Sequence, residues 1–346
     1  MKLLIITQKV DRNDSILGFF HHWLEEFSKH FEKITVICLW RGEYHLPNNV
    51  NVLSLGKEGG TSKLKYLYRF YKYIWNERKN YDSVFVHMNQ EYIILGGLFW
   101  KILGKKITMW RNHSSGNFLT RLAIYFSDKV FCTSSKSFTA KFDKTEIMPV
   151  GIDTNFFKPD DSISRKQNTI LCLGRIAPIK KQDLFIESLG LLNQKGDEFM
   201  ASIYGDPLPK DENYYLSLKK KAQVLEIENK VIFFQSVPNH TTPSIYASHN
   251  IFVNLSPDGL YDKTMFEAMS VGTLIVSPHS NLRGKINPEL ILDRVDAEDL
   301  AITLHNLLHL DSEKTKLIRN ELRDYVEKNH DLAILANRLK IAIGNL

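Results

Sequence analysis

The feature that most constrains the fold is a repeated alternation of short apolar runs with longer segments of helical period. In the first half, "KLLIIT" and "KITVICLW" flank "LGFFHHWLEEFSKHF", and "SVFVHM", "KKITMW" and "KVFCTS" follow. The pattern restarts after about residue 160 with "NTILCLG", "FMASIYG", "KVIFFQS", "IFVNLS" and "TLIVSP". Because alternating strands and helices form parallel sheets with right-handed crossovers, the sequence predicts two Rossmann-like, doubly wound α/β domains facing across a cleft.

The segment between the two runs, "PVGIDTNFFKPDDSISRKQNT", is polar, contains prolines and has no apolar period. With 346 residues the chain is long enough to bury two separate cores. We therefore expect an N-terminal domain over residues 1–157 and a C-terminal domain over residues 158–346. The last helix could pack back on the first domain.

Composition restricts the setting of the protein. The sequence has no apolar run of roughly 18 residues, the length a membrane-spanning helix needs. Its start, "MKLLIITQKVDRND", resembles a strand rather than a signal peptide. The three cysteines lie in apolar runs without metal-ligand spacing, which is typical of a reducing cytoplasm. The net charge of +6 favours anionic partners such as phosphates, anionic lipid or nucleic acid.

Polar residues at the carboxyl ends of strands indicate the site, because ligands of open α/β sheets bind there. In "ILCLGRIAPIKKQDLFIESL", Gly174 ends a strand, and Arg175 and Lys180 bracket the loop before the next helix. The amide groups of a helix N-terminus attract anions, and two cations strengthen that attraction. This segment predicts a diphosphate cradle; solvated surface charges are the alternative.

The stretch "SPDGLYDKTMFEAMSVGTLIVSP" has the same strand–loop–helix architecture. Lys263, Thr264 and the backbone amides that include Met265 are predicted to meet a ligand phosphate. Glu267 lies one turn further on, where a carboxylate suits a diol such as the ribose hydroxyls. The alternative for Glu267 is an acid that only interacts favourably with the helix dipole.

In the first domain two predicted strands end near histidines. "SVFVHMNQE" offers His87 and Asn89, and "KITMWRNHSSG" offers His113, followed by small residues. The spacing matches no His-x-His or HExxH metal motif, and the sequence contains no G-x-S-x-G or P-loop pattern. We expect both histidines to face the cleft and neither to bind a metal.

The segment 62–79 predicts a two-faced helix. Leu64, Leu67, Tyr71, Ile74 and Trp75 are expected to face the core. The opposite face would then consist of aromatic residues among basic ones, namely Tyr66, Phe70 and Tyr73 with Lys65, Arg69 and Lys72. Such a face suits an anionic membrane surface. A helix buried on two sides is an equal alternative, and nucleic acid is less favoured.

Three segments together resemble the retaining glycosyltransferases of family 4, the group 1 glycosyl transferases with the two-Rossmann-domain GT-B fold. They are "PVGIDTNFF", "LGRIAPIKKQDLFIESL" and "SPDGLYDKTMFEAMSVGTLIVSP", in the order and spacing of the family. The resemblance extends over the whole chain, with its specific motifs in the second domain. It implies a nucleotide-diphosphate sugar as donor, bound by the second domain, and an acceptor on the first.

The resemblance also implies roles for particular residues. Arg175 and Lys180 match the diphosphate-binding pair of the family, and Gly174 precedes them. Glu267 matches the second glutamate of the E-x7-E motif, a ribose contact. His113 resembles the first-domain histidine beside the transferred sugar. Arg175, Lys180 and His113 are therefore the expected catalytic residues.

Two departures from the family concern sugar and acceptor. The first glutamate of the E-x7-E motif, a contact of sugar hydroxyls, falls at Gly259, where Asp258 or Asp262 could substitute. The loop after the first strand, "TQKVDRNDSILG", keeps only Gly18 of the usual glycine pair. Sugar or acceptor contacts are accordingly expected among His87, Asn89, Asp258 and Asp262.

The resulting expectation is metal-independent transfer of a sugar, with retention, to a glycan or lipid-linked acceptor, as in the synthesis of cell-envelope polysaccharides. The enzyme would need no cofactor and would lie in the cytoplasm. Residues 62–79 could bind it to the inner face of the membrane as a peripheral protein. Nucleic acid is not an expected partner. A sugar-nucleotide epimerase or phosphorylase of the same fold, or a non-catalytic sugar-nucleotide or membrane-binding module, are the alternatives.

Overall fold

The computed structural model describes residues 1–259 and 261–346, which divide into two compact units. The first unit comprises Met1–Gly151, Pro238–His240 and Leu332–Leu346. The second comprises Ile152–Val237 and Thr241–Asp331. Each unit contains one parallel sheet flanked by helices. The prediction of two parallel-sheet α/β domains is confirmed.

The first sheet has the order β3-β2-β1-β4-β5-β6-β7 and all its strand pairs are parallel. Its strands are β1 (Lys2–Val10), β2 (Lys33–Arg41), β3 (Val50–Ser54), β4 (Ser83–His87), β5 (Lys106–Trp110), β6 (Lys129–Cys132) and β7 (Thr145–Ile147). The strand order reverses direction between β1 and β4. In open α/β sheets such a switch point is where ligands bind, beyond the carboxyl ends of the strands.

The second sheet has the order β10-β9-β8-β11-β12, again parallel throughout. Its strands are β8 (Thr169–Leu173), β9 (Met200–Tyr204), β10 (Val231–Phe234), β11 (Ile251–Val253) and β12 (Leu274–Val276). The switch point lies between β8 and β11. The loops that follow these two strands therefore meet at one edge of the sheet, and both are segments that the sequence singled out.

The α-helices of the described residues range from 7 to 18 residues in length. They are α1 (Phe19–Ser28), α2 (Lys63–Asn76), α3 (Glu91–Ile102), α4 (Phe118–Phe126), α5 (Gln182–Gln194), α6 (Glu212–Val224), α7 (Thr242–Ser248), α8 (Lys263–Ser270), α9 (Ala297–Leu308), α10 (Ser312–Asn329) and α11 (Leu332–Gly344). In the first unit α11 packs against α1, and in the second α5 packs against α9 and α10 against α8. None of the helices in the described residues has the length and apolarity needed to cross a bilayer.

Period-two alternation builds the core of the first unit on both faces of its sheet. Leu3 and Ile5 of β1 point into one apolar cluster, and Leu4 and Ile6 point into the other. The first cluster includes side chains of α1 and α11, and the second includes side chains of α2 and α3. A sheet buried on both faces explains why the strands are almost continuously apolar.

The predicted orientation of α2 is wrong. Phe70, which was expected to be exposed, is only 1% exposed and packs in the core with Ile74, while Tyr66 and Tyr73 are partly buried beside them. The remaining residues of the predicted core face are exposed instead: Leu64, Leu67, Tyr71 and Trp75. The helix thus buries its bulkiest aromatic side and presents aliphatic and aromatic residues to solvent. It carries more apolar surface than one packing face can cover.

Candidate functional site

The loop after β8 approaches the loop after β9 very closely. A Cβ atom at Gly205 would lie 2.0 Å from the carbonyl oxygen of Gly174, so only glycine fits there. Arg175 follows Gly174 and is exposed. The chain then forms a short 3₁₀ turn, Pro178–Lys180, and passes through a left-handed residue, Lys181 (φ 53°), into α5. Left-handed backbone at a non-glycine residue is strained and is frequent in ligand-binding loops.

The structure joins the two predicted donor segments through the Lys180 side chain. Its Nζ donates to the Ser256 hydroxyl at 2.9 Å and forms an ion pair with the Asp262 carboxylate. Ser256 in turn donates to Asp262 at 3.0 Å. Asn254 supports this cluster, accepting from the Ser256 amide at 3.1 Å and donating to Thr264 at 3.2 Å. Two loops that follow neighbouring strands are therefore held together by one polar network.

Asp262 is the N-cap of α8. Its carboxylate accepts hydrogen bonds from the Thr264 amide at 3.3 Å and from the Thr264 hydroxyl at 3.0 Å. Burial alone would raise the pKa of the Asp262 carboxyl, but the Lys180 ammonium and these hydrogen bonds hold it far below its usual value. Asp262 is thus ionised and neutralises Lys180. Arg175, which is exposed, and Lys181, which is partly exposed, carry further positive charge in the first of these loops.

Lys263 begins α8 and is half-buried. Burial lowers the pKa of its ammonium well below the usual value for lysine, and the Glu267 carboxylate opposes this shift only in part. A lysine side chain with a lowered pKa takes up a proton when an anion binds beside it, because the anion offsets the hydration that the ammonium loses on burial. The Met265 side chain is fully buried, and its backbone amide donates to the Asp262 carbonyl at 3.3 Å.

Glu267 is buried in the second unit, and its carboxylate accepts a hydrogen bond at 3.1 Å from the hydroxyl of Tyr246, which is also buried. The Tyr246 hydroxyl therefore fixes the orientation of the carboxylate, and Glu267 itself is only 2% exposed. The neighbouring Asp258 is exposed and accepts two hydrogen bonds from Ser280, both at 2.8 Å. Gly259 has a φ of 95°, a conformation that disfavours the glutamate of the family motif.

In the first unit His113 is exposed at the carboxyl end of β5. Its Nδ1 accepts a hydrogen bond from the Ser115 amide at 3.0 Å and lies 3.0 Å from the Ser115 hydroxyl. Nδ1 also lies 3.2 Å from the Ser115 carbonyl oxygen. A ring that accepts from the Ser115 amide carries its hydrogen on Nε2. A local turn thus holds the ring with a donor available for a ligand.

The structure does not bring His87 to an exposed surface. The ring is 2% exposed, stacks on Phe20 with the centroids 4.3 Å apart, and lies 3.3 Å from the Thr7 hydroxyl. The expectation that it contacts a ligand from the end of β4 is not supported by this placement, because aromatic residues of α1 cover it. The next residue, Met88, has a φ of 69° and is exposed.

Asn89 does lie at the switch point of the first sheet. Its amide donates to the side-chain oxygen of Gln8 at 2.8 Å, linking the ends of β1 and β4. Both side chains line a cavity of about 450 Å³. The other lining residues, mostly apolar, come from α2, α3 and the loop before α2: Leu55, Lys63, Leu64, Tyr66, Leu67, Phe70, Glu91, Tyr92 and Leu95.

Several residues of these sites were not identified from the sequence. Ser256 opens the second predicted donor segment and Tyr246 lies before it; each binds a predicted site residue, but neither a serine nor a tyrosine carries a signal of its own. Arg111 follows β5 directly, and one of its guanidinium nitrogens is buried without a hydrogen-bond partner among the described residues. Its position after a strand, like that of His113, is the signal that could have identified it.

The second unit carries a recognisable family domain. Residues 153–324 match the family described as glycosyl transferases group 1. Mannosylfructose-phosphate synthase of Agrobacterium fabrum is 30% identical over 174 residues, which cover 46% of this chain and 38% of that protein.

A second relative acts on a lipid, according to its name. The GDP-mannose-dependent alpha-(1-6)-phosphatidylinositol monomannoside mannosyltransferase of Mycolicibacterium smegmatis is 26% identical over 187 residues, or 47% of each chain. The chain thus spans less than half the length of either curated relative.

The whole fold is similar to that of a solved protein. HepE of Anabaena, crystallised in complex with UDP, matches with a TM-score of 0.80 at 18% identity, covering 100% of both chains. At this level of identity the similarity establishes the fold. The predicted GT-B fold is therefore confirmed.

Proposed function

We propose that the protein is a glycosyltransferase that moves a sugar from a nucleotide-diphosphate sugar to an acceptor, with retention of anomeric configuration and without a metal ion. The observation that carries this proposal is the polar network between the loops after β8 and β11. There Lys180 bridges the two loops, Arg175 follows the end of β8, and Lys263 begins α8, all within residues 153–324 that match the glycosyl transferases group 1 family. The names of both relatives describe synthases or transferases of sugars.

The hard step of such a reaction is departure of the nucleoside diphosphate from the anomeric carbon. The bond from that carbon to the phosphate oxygen breaks, the acceptor oxygen bonds to the same face, and the acceptor proton leaves with the diphosphate. Negative charge grows on the diphosphate, so cations and amides placed there stabilise the transition state more than the ground state. Arg175, Lys180 and Lys263 would supply this stabilisation.

Asp262 gives Lys180 a defined position before the donor binds. The ion pair and the Ser256 hydrogen bond hold the ammonium beside the α8 N-terminus, so little side-chain order remains to be imposed on binding. A bound diphosphate would then compete with Asp262 for Lys180. This competition limits the affinity for the product diphosphate and favours its release.

Three activities can be distinguished in one assay. Purified protein is incubated with UDP-, GDP- and ADP-sugars in the presence and absence of a lipid extract, and both nucleoside diphosphate and modified sugar nucleotide are measured. The proposal predicts diphosphate release that depends on acceptor, with the product linkage retained when examined by NMR. Conversion of one sugar nucleotide to another would indicate an epimerase, and binding without turnover would indicate a non-catalytic module.

We further propose that the acceptor is lipid-linked. The 450 Å³ cavity has polar residues, Gln8 and Asn89, at the switch point and an apolar wall from α2 and α3. This gradient suits an acceptor whose polar end reacts while a hydrocarbon segment lies between the two helices. The name of the mycobacterial relative also describes transfer to a phosphatidylinositol derivative.

The exposed side of α2 and α3 supports peripheral binding to a membrane. The exposed apolar residues of these two helices form a surface that we call the α2–α3 surface: Leu64, Leu67, Tyr68, Tyr71, Trp75, Leu95, Leu98 and Ile102. The Tyr71 hydroxyl donates to the Leu95 carbonyl at 2.9 Å, so the two helices present this surface together. The charged residues of α2 are all basic: Lys63, Lys65, Arg69 and Lys72. Apolar residues among cations suit an anionic bilayer.

We expect the protein to sediment with vesicles that contain anionic phospholipid and less with neutral vesicles. Each exposed cation near such a surface contributes about 1 kcal/mol, an attraction that added salt screens. The double substitution Leu64→Ser with Tyr68→Ser should reduce binding to both kinds of vesicle. Leu216→Ser, on an exposed part of α6 in the second unit, is the matched control. Equal sedimentation of the double variant and the control would contradict the assignment of this surface.

The lowered pKa of Lys263 predicts that affinity for nucleoside diphosphate depends on pH. The bound anion restores the charged ammonium, so binding takes up a proton once the pH exceeds the pKa of the free site. Affinity should therefore fall as pH rises from about 7 to about 9, by up to about tenfold per unit. Calorimetry in buffers of different ionisation enthalpy measures this uptake. Lys263→Arg, which stays charged, should remove it; an unchanged pH dependence in this variant would show that another group is responsible.

A further inference from the structure

A second cluster of polar side chains lies elsewhere in the second unit. Asp197 occupies the turn between α5 and β9, where its amide donates to the Leu192 carbonyl at 3.1 Å and its side chain is 5% exposed. His305 lies in the last turn of α9, and His309 caps that helix. The two histidines are four positions apart, the spacing that places side chains on one face of a helix.

The ligand atoms of these residues are already gathered around one point. His305 Nδ1 lies 2.9 and 3.0 Å from the two carboxylate oxygens of Asp197, and His309 Nε2 lies 2.8 Å from one of them. The three potential ligand atoms fall within 4.8 Å of one another. Ligands about 2.0–2.2 Å from a tetrahedral zinc ion are themselves a little over 3 Å apart. A small outward movement of each ring would therefore admit an ion.

We propose that Asp197, His305 and His309 bind a divalent transition-metal ion. Two imidazoles and one carboxylate are ligands that suit Zn²⁺ and its neighbours, whereas Mg²⁺ and Ca²⁺ prefer oxygen ligands alone. Three protein ligands leave a fourth tetrahedral position for water, which the exposure of both histidines allows. The buried carboxylate would receive the charge of the ion in place of its present contacts with the two rings.

The position of the cluster in the fold assigns the ion a structural role. Asp197 precedes β9 and therefore lies at the amino edge of the second sheet, whereas Gly174 and Asp262 follow carboxyl ends of strands. The ion would link α9 to the turn that follows α5. The helices α5 and α9 already pack together. It would take no part in sugar transfer, so the inference does not depend on the proposed function.

The test is titration of ZnCl₂ into protein prepared without a histidine tag and freed of metal with a chelator. We expect calorimetry to show saturable binding of one ion per chain and the melting temperature to rise with Zn²⁺. His305→Ala and His309→Ala should each weaken binding at least about tenfold and abolish the shift in melting temperature. Both side chains are at least partly exposed, so these variants are expected to fold, and their melting temperatures without metal verify this.

His45→Ala is the matched control, because that histidine is exposed in the first unit and distant from Asp197 in sequence. It should bind Zn²⁺ as the wild type does, and millimolar Mg²⁺ should not compete in either protein. The proposal is overturned if the wild type shows no saturable binding, or if His305→Ala and His309→Ala bind Zn²⁺ as the control does. Neither readout involves sugar transfer, so failure here leaves the proposed activity unaffected.

Discussion

Replacing Arg175 or Lys180 with alanine is expected to reduce acceptor-dependent release of nucleoside diphosphate by at least ~100-fold, as loss of one charge-stabilising donor typically does. The effect should be larger for Lys180→Ala. Removing its ammonium leaves the ionised Asp262 without its partner at the α8 N-terminus, where it repels the diphosphate. Initial rates with each folded variant measure the effect.

Two further variants separate charge from folding. Lys210→Ala removes an exposed cation of the same unit and should leave the rate unchanged. Asp262→Asn keeps an N-cap residue of similar quality but removes the charge that competes for Lys180. It should bind nucleoside diphosphate more tightly than the wild type, and it should partly restore binding when combined with Lys180→Ala. Near-normal rates for both Arg175→Ala and Lys180→Ala would contradict this account of the donor site.

His113→Ala is expected to lower turnover at least ~100-fold while the melting temperature changes little. The ring is exposed and, among the described residues, its hydrogen bonds join only Ser115 in its own turn, so folding does not depend on it. Its proposed role is to donate from Nε2 to the transferred sugar. Steady-state kinetics and thermal unfolding of the same preparation measure the two effects.

His87→Ala provides the opposite comparison. That ring is buried among the aromatic residues of α1, so its removal leaves a cavity and should lower stability. His45→Ala, an exposed histidine of the first unit, controls for surface substitution. If His113→Ala unfolds at a much lower temperature but retains its turnover per folded molecule, His113 is structural and the proposed role is wrong.

Periodicity predicted most of the fold because strands buried on both faces are recognisable as apolar runs. Both edge strands of the first sheet were missed because they lack such a run, whereas the edge strands of the second sheet, β10 and β12, were predicted. β3 reads "VNVLS" with exposed alternate positions, and β7 is the three-residue "TEI". The prediction interchanged the buried and exposed faces of α2 because both sides of the helix are apolar. Only the packing of Phe70 and Ile74 against the sheet decides which side is buried.

The sequence identified the residues of the donor site but not their partners. Arg175, Lys180 and Lys263 stand out because each follows a strand end. The Lys180–Asp262 ion pair joins residues 82 positions apart, and no local pattern encodes such a pairing. The Asp197–His305 contact, 108 positions apart, was missed for the same reason. Local motifs show which side chains are available, whereas the fold determines which of them meet.

The central claim is that a diphosphate binds between Arg175, Lys180 and the N-terminus of α8. Calorimetric titration with nucleoside monophosphate, nucleoside diphosphate and nucleotide sugar of the same base tests it most directly. The account predicts that the wild type prefers the diphosphate to the monophosphate by at least about tenfold, and that Lys180→Ala loses most of this preference while still binding the monophosphate. Equal affinity of the wild type for monophosphate and diphosphate, or an undiminished preference in Lys180→Ala, would contradict it.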